Sequence, residues 1–290
     1  MNYSMAQQEL LLEVGKRAID DTKKQLIPGT LVTPATRSDI TILFTAGFGA
    51  SHDDYVEHFA ALIGKKVNIY VSEIRLPSFG PFISSFSKFS KQPIKTQGNT
   101  FFSATERTLD DILQIDQQIR ERTEATTVIY AGHSMGVNLA VAAYNKQKKC
   151  DIQPAVAVKA FYGISPYPSF GDAMTRNTNL QKYSALQRFI DIAAKTKYGP
   201  LAYPLKDTII TEPIRFAIAG NDEVTQTQHT AVLERFVGYF LDKEHFQQAS
   251  HKVFYGRNHC FNYTQQDYAP FNKNGPKELI HDLLNFVRSL

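Results

Sequence analysis

The stretch from residue 128 to 138, VIYAGHSMGVN, constrains the fold of this chain more than any other. A β-branched and aromatic run breaks at GHSMG, positions 132–136, and apolar residues at helical spacing follow. This pattern predicts a strand, a sharp turn and a helix. A serine at such a turn, here Ser134, is held on a strained backbone with its hydroxyl exposed at the end of a sheet. The two glycines leave room for the crossing strand and helix.

The length and composition limit the classes of protein that the chain can belong to. Its 290 residues, 43% of them hydrophobic, can bury a large core, and we expect one domain over residues 1–290. The 32 basic and 28 acidic residues are scattered, which does not indicate nucleic-acid binding. Cys150 and Cys260 are too few for a disulfide framework, although a single bridge stays open.

The start of the chain lacks the pattern of a signal peptide. No apolar run approaches the roughly 18 residues that a transmembrane helix needs. We therefore expect a cytoplasmic protein, and secretion without a cleaved signal stays open.

Further apolar runs are typical of buried strands, and helical patterns separate several of them. The predicted strands are 40–45, 67–74, 155–164, 209–219 and 252–255, and the predicted helices are 53–63, 105–123 and 277–290. This alternation predicts an α/β fold with a mostly parallel central sheet and helices on both faces. Residues 5–26 carry apolar side chains among charged ones, from which we expect an amphipathic N-terminal helix.

A segment rich in phenylalanine, serine and lysine, about 77–103, is too long for a plain connection. It follows a predicted strand and would emerge beside a site at the carboxyl end of the sheet. Phe79 and Phe82 are therefore candidates for binding an apolar substrate, and the segment is a candidate for peripheral membrane contact. The alternative is that its phenylalanines pack an insertion onto the body.

A glycine-rich turn, AGFGA at 46–50, follows the predicted strand 40–45. If Ser134 attacks an acyl group, an oxyanion forms, and two backbone N–H groups must stabilise it. One follows the nucleophile and the other comes from the first strand-to-helix loop, which selects Met135 and Phe48. His52, just beyond this turn, is a further candidate for substrate contact. A glycine turn with no catalytic role is the alternative.

The partners that a serine nucleophile needs follow later strands. Asp222 comes directly after strand 209–219, where a carboxylate can orient an imidazole; Glu223 is the substitute, and a helix N-cap is the alternative role for Asp222. His259 lies just after the strand 252–255 and downstream of the acid, which is the position of a general base.

GFG after a strand, GHSMG, GNDE and RNHCF together resemble the α/β-hydrolase superfamily, from about residue 40 to the C-terminus. GHSMG is similar to the serine turn of monoacylglycerol lipases and lysophospholipases, and equally to that of type II thioesterases. The chain departs from these families at Ala46, where many lipases carry a histidine. The resemblance implies the α/β-hydrolase fold and a cap or lid over about 165–205. Its pocket candidates are Tyr162, Tyr167 and Phe170.

The function expected from these residues is hydrolysis of a carboxylic ester of a lipid or small acyl group, with Ser134, His259 and Asp222 as the catalytic residues. We expect no metal and no organic cofactor, because no His, Cys or Asp cluster has ligand spacing in the sequence. The alternatives are a thioesterase or acyltransferase that acts on a carrier-bound acyl group, and a binding protein of the same fold with little turnover.

Overall fold

The sheet holds eight strands in the order β1-β2-β4-β3-β5-β6-β7-β8 within the residues that the structure describes. The structure is a computed structural model and describes residues 5–16, 24–47, 50–73, 94–149, 158–166, 211–223, 249–263, 271 and 276–290. The strands are β1 (Ala6–Lys16), β2 (Lys24–Thr33), β3 (Ile40–Thr45), β4 (Asn68–Ser72), β5 (Thr127–His133), β6 (Val158–Ile164), β7 (Ile214–Ala219) and β8 (Ala249–Phe254).

Six strands, β4-β3-β5-β6-β7-β8, pair in parallel, as the sequence predicted. Strand β2 pairs antiparallel with both β1 and β4, which adds a hairpin to one edge of the parallel sheet. The carboxyl ends of the parallel strands therefore share one edge, where the loops after them meet.

Helices cover both faces of the sheet. They are α1 (Asp53–Tyr55), a π-helical turn (Val56–Ala60), α2 (Ala61–Ile63), α3 (Ile94–Thr123), α4 (Met135–Lys149) and α5 (Lys277–Arg288). The alternation along each buried strand explains this arrangement: Leu43 packs with residues of α3 and α4, whereas Ile42 and Phe44 pack with residues of the 53–63 helices and of α5. The prediction of helices on both faces is confirmed.

The predicted N-terminal helix over 5–26 is wrong, because β1 and part of β2 occupy this stretch. Leu10, Leu12 and Val14 are buried, while Leu11 is 67% exposed and Glu13 is exposed. This period of two is that of a strand with one covered face. Leu10, Leu11 and Val14 also fit a helical period, so the local pattern was ambiguous.

The predicted loop over 77–103 is wrong in its second part, because α3 begins at Ile94 and runs 30 residues to Thr123. Residues 77–93, with Phe79 and Phe82, lie outside the described residues. The cap predicted over 165–205 also lies outside them beyond Pro166.

No helix in the described part of the chain is long and apolar enough to cross a membrane.

Candidate active site

Ser134 stands alone between the last residue of β5 and the first residue of α4, and its φ angle is +55°. A non-glycine residue rarely adopts this left-handed conformation, which costs on the order of 1 kcal/mol or more. The backbone holds it there: the N–H of Ser134 donates to the carbonyl of Ile164 at 2.8 Å, and its carbonyl accepts from the N–H of Val137 at 3.1 Å. The predicted strand, sharp turn and helix are confirmed.

The two glycines of GHSMG allow the close approach of β5, α4 and the turn after β3. A Cβ on Gly136 would overlap the carbonyl oxygen of Thr45 and lie 2.7 Å from that of Ala46. A Cβ on Gly132 would lie 2.7 Å from the backbone nitrogen of Val137. Both contacts are too short for a side chain, so only glycine fits.

His259 lies between Ser134 and Asp222 and contacts both. Its Nε2 is 2.8 Å from the Oγ of Ser134, and its Nδ1 is 2.8 Å from the nearer carboxylate oxygen of Asp222. A carboxylate only accepts, so Nδ1 carries a proton and Nε2 is left to accept from the serine hydroxyl. The three residues predicted from the sequence are thus joined by hydrogen bonds from Ser134 to His259 and from His259 to Asp222.

The backbone of His259 is held as firmly as its ring. Its N–H donates to a carboxylate oxygen of Glu223 at 3.1 Å. Its carbonyl oxygen accepts two hydrogen bonds, from the hydroxyl of Ser165 at 2.8 Å and from Nε2 of His133 at 2.9 Å. Ser165 follows β6 and has a φ of +45°, so the ends of two neighbouring strands both carry a serine in the left-handed conformation.

The two histidines beside Ser134 have pKa values that move in opposite directions. Burial opposes the charging of His259, but the carboxylates of Asp222 and Glu223 outweigh this and raise its pKa above the usual value. Burial lowers the pKa of His133 to about 3, with a further contribution from His259. His259 therefore takes up a proton more readily than an ordinary imidazole, whereas His133 stays neutral.

Solved structures share this fold, although no protein-family model and no curated protein matches the sequence. An esterase from the fungus Rhizomucor miehei is 15% identical with a TM-score of 0.62, and the match covers 98% of this chain and 83% of that chain. A mutant of the esterase E40 is 17% identical with a TM-score of 0.58, covering 98% and 84%. Est1E from Butyrivibrio proteoclasticus is 12% identical with a TM-score of 0.53, covering 91% and 94%.

The chain has the α/β-hydrolase fold. The mixed eight-stranded sheet with helices on both faces and these structural neighbours together confirm the fold that the sequence predicted.

The α/β-hydrolase fold places Met135 at the start of α4, next to Ser134. The first N–H groups of a helix have no partner within it, and Met135 is the first residue of α4. Its role as an oxyanion donor stays a prediction. Phe48, the other predicted donor, lies outside the described residues. The residue before it, Gly47, donates its N–H to the hydroxyl of Tyr55 at 3.0 Å.

His52 lies among carboxylates that come from separate parts of the fold. Its Nδ1 is 2.8 Å from Glu73, which follows β4, and its Nε2 is 3.1 Å from Glu9 on β1. Burial opposes the charging of His52, but Glu73 and Glu9 outweigh it and raise its pKa. Both ring nitrogens thus hold the turn 51–53 to the sheet, and a contact of His52 with substrate stays a prediction.

Of the residues described, Glu9, His52 and Asp53 offer ligand atoms within 4.8 Å of one another, a group that could hold a metal ion. Its members lie on β1 and at the start of α1, so spacing in the sequence did not reveal them. A protonated His52 accounts for the same contacts without an ion.

The other predicted substrate residues are not part of the described site. Tyr162 is 1% exposed, and its hydroxyl donates to Asp282 of α5 at 2.8 Å. The Tyr162 side chain is thus held against α5, and its part in substrate binding stays a prediction. Tyr167 and Phe170, like Phe79 and Phe82, lie outside the described residues.

The sequence did not single out three residues that make hydrogen bonds in or beside the site: Tyr55, Ser165 and Glu73. Tyr55 is fully buried and contacts His133, whereas the sequence showed only an apolar helix position. Ser165 stands before a proline at the end of a predicted strand, which was the available clue. Glu73 accepts hydrogen bonds from Ser51 and His52, contacts that no local pattern indicates.

Proposed function

We propose that this chain is a serine hydrolase that cleaves carboxylic esters of lipid or small acyl groups through an acyl-enzyme intermediate. The single observation that supports it most is the line of hydrogen bonds from the Ser134 hydroxyl through His259 to Asp222. The structural neighbours named as esterases support the same reaction class.

In the first half of the reaction, Ser134 Oγ attacks the ester carbonyl carbon while Nε2 of His259 takes the hydroxyl proton. Asp222 stays ionised and stabilises the imidazolium that forms. The carbonyl oxygen becomes an oxyanion, which the N–H of Met135 stabilises together with that of Phe48. Collapse of this intermediate breaks the bond to the alcohol, and His259 returns the proton to the leaving alkoxide.

In the second half, water attacks the acyl-serine and His259 takes its proton. The tetrahedral intermediate collapses, the carboxylic acid leaves, and Ser134 recovers its proton from His259. The left-handed backbone of Ser134 keeps Oγ at the carboxyl end of the sheet, where an ester can approach it. All proton transfers in this cycle pass through one side chain, His259, whose pKa is raised above its usual value.

Hydrolysis of p-nitrophenyl esters of increasing chain length tests the proposal. We expect turnover with a chain-length optimum in the wild type and a loss of at least about a thousandfold in Ser134→Ala, since the nucleophile is removed. Ser38→Ala is the matched control, because the Ser38 hydroxyl bonds to the backbone of Ile40 at the start of β3. It should keep the wild-type rate.

Two further measurements separate the alternatives. A fluorophosphonate should label Ser134 in the wild type and not in Ser134→Ala. Acyl thioesters of the same chain lengths should be hydrolysed with a lower kcat/KM than the esters; the reverse order would assign the chain to thioesters. The absence of both turnover and labelling in the wild type would contradict the hydrolase assignment.

A further inference from the structure

We propose that Tyr55 and His133 are positioning residues that join the turn after β3 to the backbone of His259 through a directed chain of hydrogen bonds. The inference rests on the proposed function and adds two residues to its machinery. Neither residue reaches the reacting atoms; they act by holding the groups that do.

This series of hydrogen bonds begins at His259, whose carbonyl oxygen can only accept. The Nε2 of His133, 2.9 Å away, must therefore carry the ring proton and donate it. Burial keeps His133 neutral, with a pKa of about 3, so its Nδ1 has no proton. The tautomer of His133 is thus decided by its contact with His259.

The next contact follows from that tautomer. The hydroxyl of Tyr55 lies 3.0 Å from Nδ1 of His133, and because Nδ1 can only accept, Tyr55 donates. The phenol is fully buried, which raises its pKa and keeps the proton on oxygen. The same oxygen accepts from the N–H of Gly47 at 3.0 Å. Each group in the chain therefore donates and accepts in one consistent direction.

Close packing keeps this chain in place. A Cβ on Gly47 would lie 2.9 Å from Nδ1 of His133 and 3.2 Å from the hydroxyl of Tyr55. Glycine is therefore required for the two rings to reach this turn. The ring of Phe271 contacts both, with centroids 5.0 Å from that of Tyr55 and 5.2 Å from that of His133. Aromatic side chains therefore enclose this series of hydrogen bonds, and hydrogen bonds are stronger in such a low-dielectric interior than in water.

The ends of the chain explain why it matters for catalysis. One end is His259, the proposed base, and His133 itself precedes the nucleophile Ser134. The other end is Gly47, which precedes Phe48, a proposed oxyanion donor. The base, the nucleophile and Gly47 are thus attached to two buried side chains, Tyr55 and His133. A shift of about 1 Å in such groups can cost on the order of a hundredfold in rate.

Tyr55→Phe removes only the hydroxyl and is the direct test. We expect kcat for the preferred p-nitrophenyl ester to fall about tenfold to a hundredfold, with KM changed less than about threefold. Tyr130→Phe is the matched control: Tyr130 is equally buried, lies on β5 and donates its hydroxyl to Asp116, away from Ser134. It should keep the wild-type kcat and lose only stability.

The conservative variant His133→Gln adds a readout that a purely structural role would not change. An amide can donate to the carbonyl of His259 and accept from Tyr55, so we expect it to keep a higher kcat than His133→Leu at matched stability. Equal kcat in these two variants would contradict the proposal.

Nitrogen NMR of the imidazole rings tests this series of hydrogen bonds in the wild-type protein, where no substitution alters the fold. His133 should show the neutral Nε2–H tautomer from pH 5 to 8. Titration in that range, or the Nδ1–H tautomer, would overturn the proposal. Wild-type turnover with equal kcat in Tyr55→Phe and Tyr130→Phe would overturn the positioning role alone. Absence of wild-type turnover and of Ser134 labelling would overturn the proposed function and, with it, the positioning role.

Discussion

The carboxylate of Glu223 accepts a hydrogen bond from the backbone N–H of His259 at 3.1 Å, while that of its neighbour Asp222 accepts one from the imidazole at 2.8 Å. Two adjacent acids therefore hold different atoms of one histidine. In the sequence alone they are alternatives for a single role. The structure assigns the ring contact to Asp222 and the backbone contact to Glu223.

This division predicts unequal losses of activity in the two neutralised variants. Asp222→Asn should lower kcat/KM about a thousandfold to ten-thousandfold, because the amide no longer selects the tautomer that Ser134 needs. Glu223→Gln should lower it less than about tenfold, since the amide oxygen still accepts from the backbone. Steady-state kinetics with one p-nitrophenyl ester measures both, and equal losses would contradict the assignment.

The pH dependence of Glu223→Gln is a second prediction. His259 must be neutral to act as a base, so kcat/KM falls as the pH drops through its raised pKa. Glu223 contributes to that raised pKa, and removing its negative charge lowers it. The acid limb of the profile should therefore move to lower pH in Glu223→Gln. Glu121→Gln, on the surface of α3, is the control. If the acid limb of Glu223→Gln stays where it is in the wild type, Glu223 has no electrostatic effect on His259.

Because of the left-handed backbone at Ser134, we expect the glycine variant to be more stable than the alanine variant, the reverse of the usual order. Ser134→Gly and Ser134→Ala both lose the hydroxyl, but only glycine is unstrained at a φ of +55°. We expect the glycine variant to be more stable by about 0.5 to 1 kcal/mol in urea unfolding. Ser250 in β8 is the matched position, where the alanine variant should be the more stable one. The same order at both positions would contradict the strain at Ser134.

Because of Asp111 in α3, we expect the stability of the folded protein to fall as the pH rises. Burial and the neighbouring Asp110 raise its pKa to about 7, against an unfolded value of 3.8. The native state holds the proton more tightly, so stability falls between about pH 4 and pH 7 and the loss is complete above that. Asp111→Asn should gain about 2 to 4 kcal/mol at pH 8 and almost nothing at pH 4. Glu121→Gln, exposed on the same helix, should change little at either pH.

For Asp282 in α5 we expect the opposite pH dependence, in which stability rises with pH. Burial would raise its pKa, but hydrogen bonds from Arg215 and Tyr162 outweigh this and lower it. Its stabilising effect is therefore complete above about pH 4 and is lost as the pH falls through the lowered pKa. Asp282→Asn should cost about 2 kcal/mol at pH 7, with a smaller difference at pH 3. The exposed Glu278 of α5 provides the control variant Glu278→Gln.

Much of the site could be predicted because its signals are local or follow from the order along the chain. The turn at Ser134 is encoded within eleven residues, where a strand pattern meets two glycines. Asp222 and His259 each follow a predicted strand, and parallel strands bring the loops after them to one edge of the sheet. These two conditions were enough to select three residues that the structure brings into contact.

The N-terminal hairpin could not be predicted, because the decisive contacts are distant in sequence. Leu10, Leu11 and Val14 fit both a helical and a strand period. The pairing with β4, with Gly29 opposite Ser72, adds β2 to the sheet, and β2 then provides the backbone partners that make β1 a strand. A sheet edge selects extended structure by hydrogen bonding, which a local pattern does not record.

The amino-acid sequence by itself determined the α/β architecture, the strained serine turn and the order of Ser134, Asp222 and His259, since each depends on short-range pattern or on chain order. Only the tertiary structure decided which groups surround His259. The contacts of Tyr55, His133, Ser165 and Glu223 join segments up to 126 residues apart. Such contacts depend on the direction of single hydrogen bonds in a buried space, and that direction exists only once the sheet has brought the segments together.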